Sequence, residues 1–260
     1  MFKRYTNPNT PELWDKIWKP TSKESDLYNI KRNEVSICWK KMEQTVLKEF
    51  GSFKGLNVLE IGSGGGTRGL LFALRGSNVT VLDYSKKALI RAKEFYKRQG
   101  ITVKTIHADA LHLPKNLHNK FDVSLSFGLI EHFENKTRTK MMQAHKDVLK
   151  KNGMTFISVP NKWNPPYRIY KAVFEAIGKW QFGLEIPYSR KELLERAKAC
   201  ELHNTRVIGG SFISSFDYIN PLKYIKYALG IKKNIKHIKR EIPSCLDDTL
   251  SYGIILIGKK

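Results

Sequence analysis

The chain has 260 residues, 41% of them hydrophobic and 11% aromatic, which suits one large globular domain with a real core and excludes a disordered chain. Forty-six Lys and Arg against 24 Asp and Glu give a formal charge of +22. That balance points to an anionic partner or, since the lysines are spread along the chain, to nothing more than solvated faces. The apolar runs are far shorter than the ~20 residues a membrane-spanning helix needs.

Residues 10–50 carry apolar positions at helical spacing in "PELWDKIW" and "VSICWKKMEQTVLKEF", with Gly51 as a stop. The start "MFKRYTNPNTPELW" has charge but no apolar stretch, so no signal peptide is expected. A regular alternation begins at "NVLEIG" (57–62), a short strand running into glycines. A helix over 67–76, a strand over 78–85 and a helix over 85–100 follow, the last capped by Ser85 and closed by Gly100. Strands are predicted at 103–109 and 121–128, a helix over 135–153 and a fifth strand over 154–160. Residues 161–188 read as an inserted loop or short helices. "SRKELLERAKACEL" (189–202) is a helix whose capping box pairs Ser189 with Glu192. A sixth strand (204–212), a second insertion (213–247) and a last strand (250–258) complete the chain.

Alternating strands and helices predict an α/β fold, a doubly wound Rossmann-like sheet with helices on both faces. Its ligand should lie at the carboxyl ends of the strands. Cys38, Cys200 and Cys245 have no zinc or disulfide spacing, and read as reduced cytoplasmic thiols.

The loop "LEIGSGGGTRG" (59–69) follows the first strand. Its glycines permit positive φ and let backbone approach a ligand closely. Gly64, Gly66 and Gly69 satisfy a dinucleotide pattern, which alone is weak. Asp83 ends the second strand, where a ribose-binding acid belongs. Glu60 separates the readings, because a carboxylate beside the loop is unfavourable near a pyrophosphate and favourable near a cation. S-adenosylmethionine carries a sulfonium and an ammonium and no phosphate. The pattern Glu60-x-Gly62-x-Gly64-x-Gly66, with Asp83, resembles the class I S-adenosylmethionine-dependent methyltransferases.

That resemblance implies S-adenosylmethionine as cofactor and a mostly parallel seven-stranded sheet. It implies a cofactor site of Glu60, Gly62, Ser63, Gly64, Gly66 and Asp83. Tyr84 either stacks beside the adenosine or covers the sheet edge. In "HADALHLP", Asp109 stands where the family's acid contacts the adenine amine, with the Ala110 amide beside it. "FGLIEHF" (127–133) is similar to the segment after strand four in quinone-biosynthesis O-methyltransferases, where the residue at the Phe127 position meets the methionine part. His132 is the candidate base, and the open alternative is that Glu131 and His132 orient the following helix. RNA 2′-O-methyltransferases with a Glu-His segment place a third metal ligand at the position of Gly128, so no metal is expected here. The resemblance further implies that residues 1–50 cover the cofactor site of a 51–260 methyltransferase domain.

"NPPY" (164–167) matches the signature of enzymes that methylate exocyclic amines of bases. That signature directly follows strand four, whereas here the four residues follow strand five, so a proline-stiffened loop is expected. The aromatic residues that come with it (Trp163, Tyr167, Tyr170, Trp180, Phe182) either wall the acceptor or form the core of a small lobe. In the second insertion Leu222, Ile225, Leu229, Ile231, Ile235 and Ile238 fall at helical spacings among lysines, as in an ordinary lid, in a helix on an anionic membrane or in one that binds nucleic acid. The expected activity is methyl transfer to a small or lipid-like acceptor, at oxygen. A nucleic-acid acceptor is the alternative. The expected location is the cytoplasm, with peripheral contact to an anionic membrane or nucleic acid left open.

Overall fold

A computed structural model describes residues 9–222, 238 and 240–260. Of the second insertion, the helical positions Ile225, Leu229, Ile231 and Ile235 lie outside the described residues. Seven strands form one sheet: β1 (Asn57–Ile61), β2 (Asn78–Asp83), β3 (Lys104–His107), β4 (Phe121–Phe127), β5 (Leu149–Pro160), β6 (His203–Gly209) and β7 (Gly253–Lys259). Their order is β3-β2-β1-β4-β5-β7-β6, with β7 antiparallel to both neighbours and the remaining pairs parallel. The reversal of order between β1 and β4 opens a crevice at their carboxyl ends. The expected fold is what forms.

Period-2 alternation sorts the strand residues between two cores. Val58, Val123, Phe156 and Ile257 face one side, and Leu59, Ile61, Ile157 and Leu256 the other. Both faces are apolar because helices cover both. On the first side lie α2 (Lys23–Glu34), α3 (Ile37–Phe50), α4 (Thr67–Ala73) and α5 (Lys86–Lys97), which bring Trp39, Met42, Phe72 and Tyr96 into the core. On the second lie α6 (Asn135–Val148) and α8 (Arg190–Ala199), contributing Met141, Met142, Leu193 and Ala197.

The caps follow the expected chemistry. Ser85 accepts from the Ala88 amide, Ser189 accepts from the Glu192 amide, and Gly51 closes α3 at φ 71°. One boundary moves: α6 stops at Val148, and 149–153, predicted as its last turn, opens β5. A register shift at Phe121/Val123 accommodates those residues, and Lys150 reaches back to Asp122 at 2.9 Å.

The NPPY segment is also not a loop. It starts α7 (Pro165–Ala176), with Asn164 as N-cap accepting from the Tyr167 amide at 2.7 Å. Pro165 and Pro166 occupy the first helical positions, where a missing N–H removes no helical bond. The Asn164 amide nitrogen donates to the Leu250 carbonyl and to Ser215 Oγ, so the side chain is fully buried and fully used.

Candidate active site

The glycine loop turns sharply out of β1. Gly62, Gly64 and Gly66 sit at φ 60°, 51° and 69°, the left-handed region that L side chains avoid. A methyl at Gly62 would lie 2.6 Å from Leu129 Cδ1, and one at Gly64 would overlap the Trp18 ring. Asp83 holds the loop from β2: one carboxylate oxygen accepts from the Gly64 amide at 2.8 Å, the other from Ser85 at 2.8 Å. A carboxylate has about four acceptor positions, so lone pairs remain for a ligand. Burial raises the Asp83 pKa, and the amides of Ser85, Gly64 and Tyr84 oppose it.

Glu60 lies beneath the loop. Its Oε2 accepts from the Gly69 amide at 2.9 Å, which ties β1 to the first turn of α4. Burial pushes its pKa up to about 7 against the amide of Gly69 and the charge of Arg68. Its contact is thus with helix backbone, and any pull on a cation acts across the loop.

The other residues expected at the cofactor site stand at the carboxyl ends of β1, β2, β3 and β4, with local bonds of their own. Tyr84 donates its hydroxyl to the Asn9 carbonyl at 3.2 Å. Asp109 caps a 3-10 turn, accepting from the Leu111 amide at 2.9 Å, and its second oxygen meets His112 Nδ1 at 2.9 Å. Ala110 is buried. Phe127, at the end of β4, carries the Arg68 guanidinium over its ring at 4.9 Å. The buried hydroxyl of Ser63 finds no hydrogen-bond partner among the described residues. The orphaned hydroxyl beside glycine backbone at positive φ fits a polar ligand, while the faces of Gly62 and Gly64 are taken by Leu129 and Trp18.

Residues 9–26 cross the crevice, and sequence reasoning did not foresee how. α1 (Pro11–Ile17) begins after Thr10, and Trp18 just beyond it lies on Gly64. Asp15 accepts from Ser85 Oγ at 2.5 Å. Asn9 donates to the carbonyls of His132 at 2.9 Å and Leu184 at 3.1 Å. Trp14 meets the His132 ring edge-on at 4.9 Å between centroids. Nothing in the helical spacing of Trp14 and Trp18 marked them as site residues rather than core.

After β4, a 3-10 turn at Ile130–His132 buries both Glu131 and His132. The first insertion packs directly on it: Ile186 donates its amide to the Glu131 carbonyl at 2.8 Å, and the Tyr188 hydroxyl donates to the Ile130 carbonyl at 3.3 Å. This brings Glu185 to the pair, so that Glu131, His132 and Glu185 each offer a donor atom within 4.8 Å of the others. Tyr167 donates its hydroxyl to Glu185. His132 Nδ1 faces the Leu184 carbonyl at 2.7 Å. Burial drives the His132 pKa down to about 4, with the Leu184 carbonyl opposing, so the ring is neutral near pH 7. Burial raises Glu131 and Glu185.

Tyr167 and Trp180 are buried in the insertion, with Tyr167 edge-on to Tyr252 at 5.1 Å, while Trp163 is 61% exposed. The aromatic insertion therefore has a packed lobe core in these residues, and Trp163 faces away from it. The segment "GLEIPY" gave no pattern by which Glu185 could be recognised. A bridge from Asn161 to Tyr188, outside the named strands, is what aligns it with the site.

The chain matches the family described as "Methyltransferase domain" over residues 58–153, the stretch from β1 into β5. It is 28% identical over 236 residues to the ubiquinone biosynthesis O-methyltransferase of Dechloromonas aromatica, covering 89% of this chain and 93% of that protein. The protein of the same name from Pelagibacter ubique is 30% identical over 177 residues, 65% of this chain and 70% of that protein. Among solved structures, the phospholethanolamine N-methyltransferase 2 of Haemonchus contortus with phosphomonomethylethanolamine and S-adenosylhomocysteine has a TM-score of 0.56. It shares 18% identity over 85% of this chain and 52% of that one, a likeness of fold alone. The glycine cradle, the strand order and relatives matched over most of their length converge: the chain belongs to the class I S-adenosylmethionine-dependent methyltransferases that act on small molecules, and S-adenosylmethionine is its cofactor.

Proposed function

We propose that this enzyme methylates an oxygen of a small or lipid-like acceptor. The observation that carries the proposal is the set of buried Glu131, buried neutral His132 and half-buried Glu185 beyond β4, beside the glycine loop. The relatives named as O-methyltransferases support it. Asn164, which a base-amine reading would need free, is committed to capping α7 and to Leu250 and Ser215.

S-adenosylmethionine supplies an electrophilic methyl, whose S–C bond breaks as the acceptor's O–C bond forms, leaving the acceptor's proton for the protein. Gly62, Ser63, Gly64 and Gly66 hold the cofactor against loop backbone, with Ser63 Oγ as an unused donor. Asp83 takes the ribose, Tyr84, Asp109 and Ala110 the adenine side, and Phe127 the methionine part. Glu60 acts from beneath by fixing α4. Residues 1–50 close over the cofactor, a role supported by Trp18 on Gly64 and Asp15 on Ser85. The lobe built on residues 161–188 covers the acceptor and excludes water, so that orientation supplies much of the rate. His132 faces the acceptor oxygen and takes its proton. Among the described residues no helix is long and apolar enough to cross a membrane.

The test offers radiolabelled S-adenosylmethionine with phenols bearing and lacking an apolar tail, their aniline counterparts, and RNA. Label on the phenolic oxygen is expected. Label on RNA or on amines alone overturns the proposal. His132→Ala should lower kcat on the order of 100-fold and leave S-adenosylhomocysteine affinity intact.

A further inference from the structure

The cluster beyond β4 has more acceptors than the protein satisfies. Glu131 is 1% exposed, and its Oε2 has no hydrogen-bond partner among the described residues. An orphaned buried carboxylate oxygen is unfavourable, and is rare unless a ligand or ion completes it. Two cations stand near, and neither is hydrogen-bonded to the Glu131 carboxylate, although the Nε of Arg138 is itself without a partner among the described residues. Arg138 pairs with Glu192 at 3.1 Å, donates to the Ile186 carbonyl at 3.0 Å and stacks on Tyr188. Lys171 pairs with Glu175 at 2.6 Å and lies over the Trp180 ring at 4.1 Å.

Two of the three potential donors are each oriented by a second group. His132 Nδ1 donates to the Leu184 carbonyl, which leaves Nε2 as the nitrogen for a ligand. Glu185 is held by the Tyr167 hydroxyl, and Tyr167 is itself locked by the N-cap of α7 and the Tyr252 ring. Donors that are fixed by outer hydrogen bonds, with one buried acceptor left over, are the pattern of a metal centre rather than of a solvated acid pair.

We propose that Glu131, His132 and Glu185 bind one divalent cation of hard to borderline character, through two carboxylates and one imidazole. Donors around an ion at ~2.1 Å lie at most ~4.2 Å apart. The 4.8 Å limit on the present set therefore closes with a small side-chain adjustment. The two carboxylates balance the ion's charge, and the oxygen-rich set suits Mn²⁺ or Mg²⁺ while the imidazole admits Zn²⁺. The sequence reading expected no metal. That expectation rested on Gly128, which has no side chain to offer, whereas in the proposed set the second carboxylate comes from the insertion, 54 residues beyond Glu131. The ion's catalytic part rests on the oxygen-transfer reading above and would replace the base role given there to His132: with Nε2 committed to the ion, the metal rather than the imidazole would make an acceptor hydroxyl easier to deprotonate. Binding of the ion does not rest on that reading.

The experiment uses the full chain stripped of metal, with Mn²⁺ titrated and the free-ion electron paramagnetic resonance signal followed. One Mn²⁺ per chain is expected, displaced by Zn²⁺. Glu185→Gln keeps an acceptor for Tyr167 and should weaken Mn²⁺ at least tenfold, and Tyr167→Phe about tenfold, both with unchanged S-adenosylhomocysteine affinity. If the wild-type chain takes up none of Mn²⁺, Mg²⁺ and Zn²⁺ stoichiometrically, the site is refuted, whatever the variants do. Glu185→Gln binding as tightly as the wild type, or losing only thermal stability, refutes it equally. Stoichiometric Mn²⁺ with no label transferred to any phenol would sustain the ion site and sink the oxygen-transfer reading.

Discussion

Glu60→Gln isolates the electrostatics beneath the glycine loop. Glu60 is 3% exposed and titrates near 7 in the fold, because loss of hydration outweighs the Gly69 and Arg68 amides and the Arg68 charge. In the unfolded chain it titrates near its ordinary value of 4.5. Below that lower value both states hold the proton and Glu60 exacts no penalty. As pH rises towards 7 the unfolded chain ionises first, so stability is progressively lost, and the loss is complete above the folded value. At about 1.4 kcal/mol per pH unit the interval amounts to about 3 kcal/mol. Glutamine keeps an acceptor for the Gly69 amide and cannot ionise. Its amide group faces the donors that held the carboxylate, a pH-independent loss that cancels from the comparison. Urea unfolding of both proteins near pH 4.5 and near pH 8 measures the effect as a difference of differences. The wild type should lose about 3 kcal/mol relative to the variant. Parallel pH profiles would refute the reasoning, and would mean that the loop's amides and Arg68 keep Glu60 ionised as the sequence argument for a cationic ligand assumed.

Asp83→Ala removes the acceptor that orders Gly64 as well as the proposed ribose partner, and calorimetry should show S-adenosylhomocysteine affinity down by roughly 100-fold. Asp83→Asn, which keeps one acceptor, should lose less. Asn164→Ala deletes a helix cap and two buried donations, and thermal or urea unfolding should report a loss of about 2–4 kcal/mol. His145 titrates near 3 because it is wholly buried between β4 and α6. A lowered histidine contributes stability above its ordinary value of 6.5 that is lost as pH falls from there, so acid unfolding should shift to lower pH in a His145→Gln variant that still folds.

How much of this was legible in advance depended on the range of the interactions. Period-2 apolar runs fix the strands because each residue's face follows from its neighbour's. Ser85, Ser189 and Gly51 mark helix ends because a cap is made within three or four residues. The α6 end was misplaced because a strand register shift, not local propensity, decides 149–153. "NPPY" was correctly denied a place after strand four, yet its role as a helix start was missed, since Asn-Pro-Pro reads equally as a stiff turn until the chain beyond it is known to coil.

The amino-acid sequence by itself determined the α/β architecture, the glycine cradle with Asp83, and the Glu131–His132 pair, because those features are written in short spacings along one strand–loop–helix unit. Only the tertiary structure decided what surrounds them. Trp18 on Gly64, Trp14 on His132, and Glu185 beside Glu131 join residues tens of positions apart, through backbone bonds such as Ile186 to Glu131 and Tyr188 to Pro160. Such contacts depend on how an insertion folds back over a sheet, and no local pattern of residue types encodes that return.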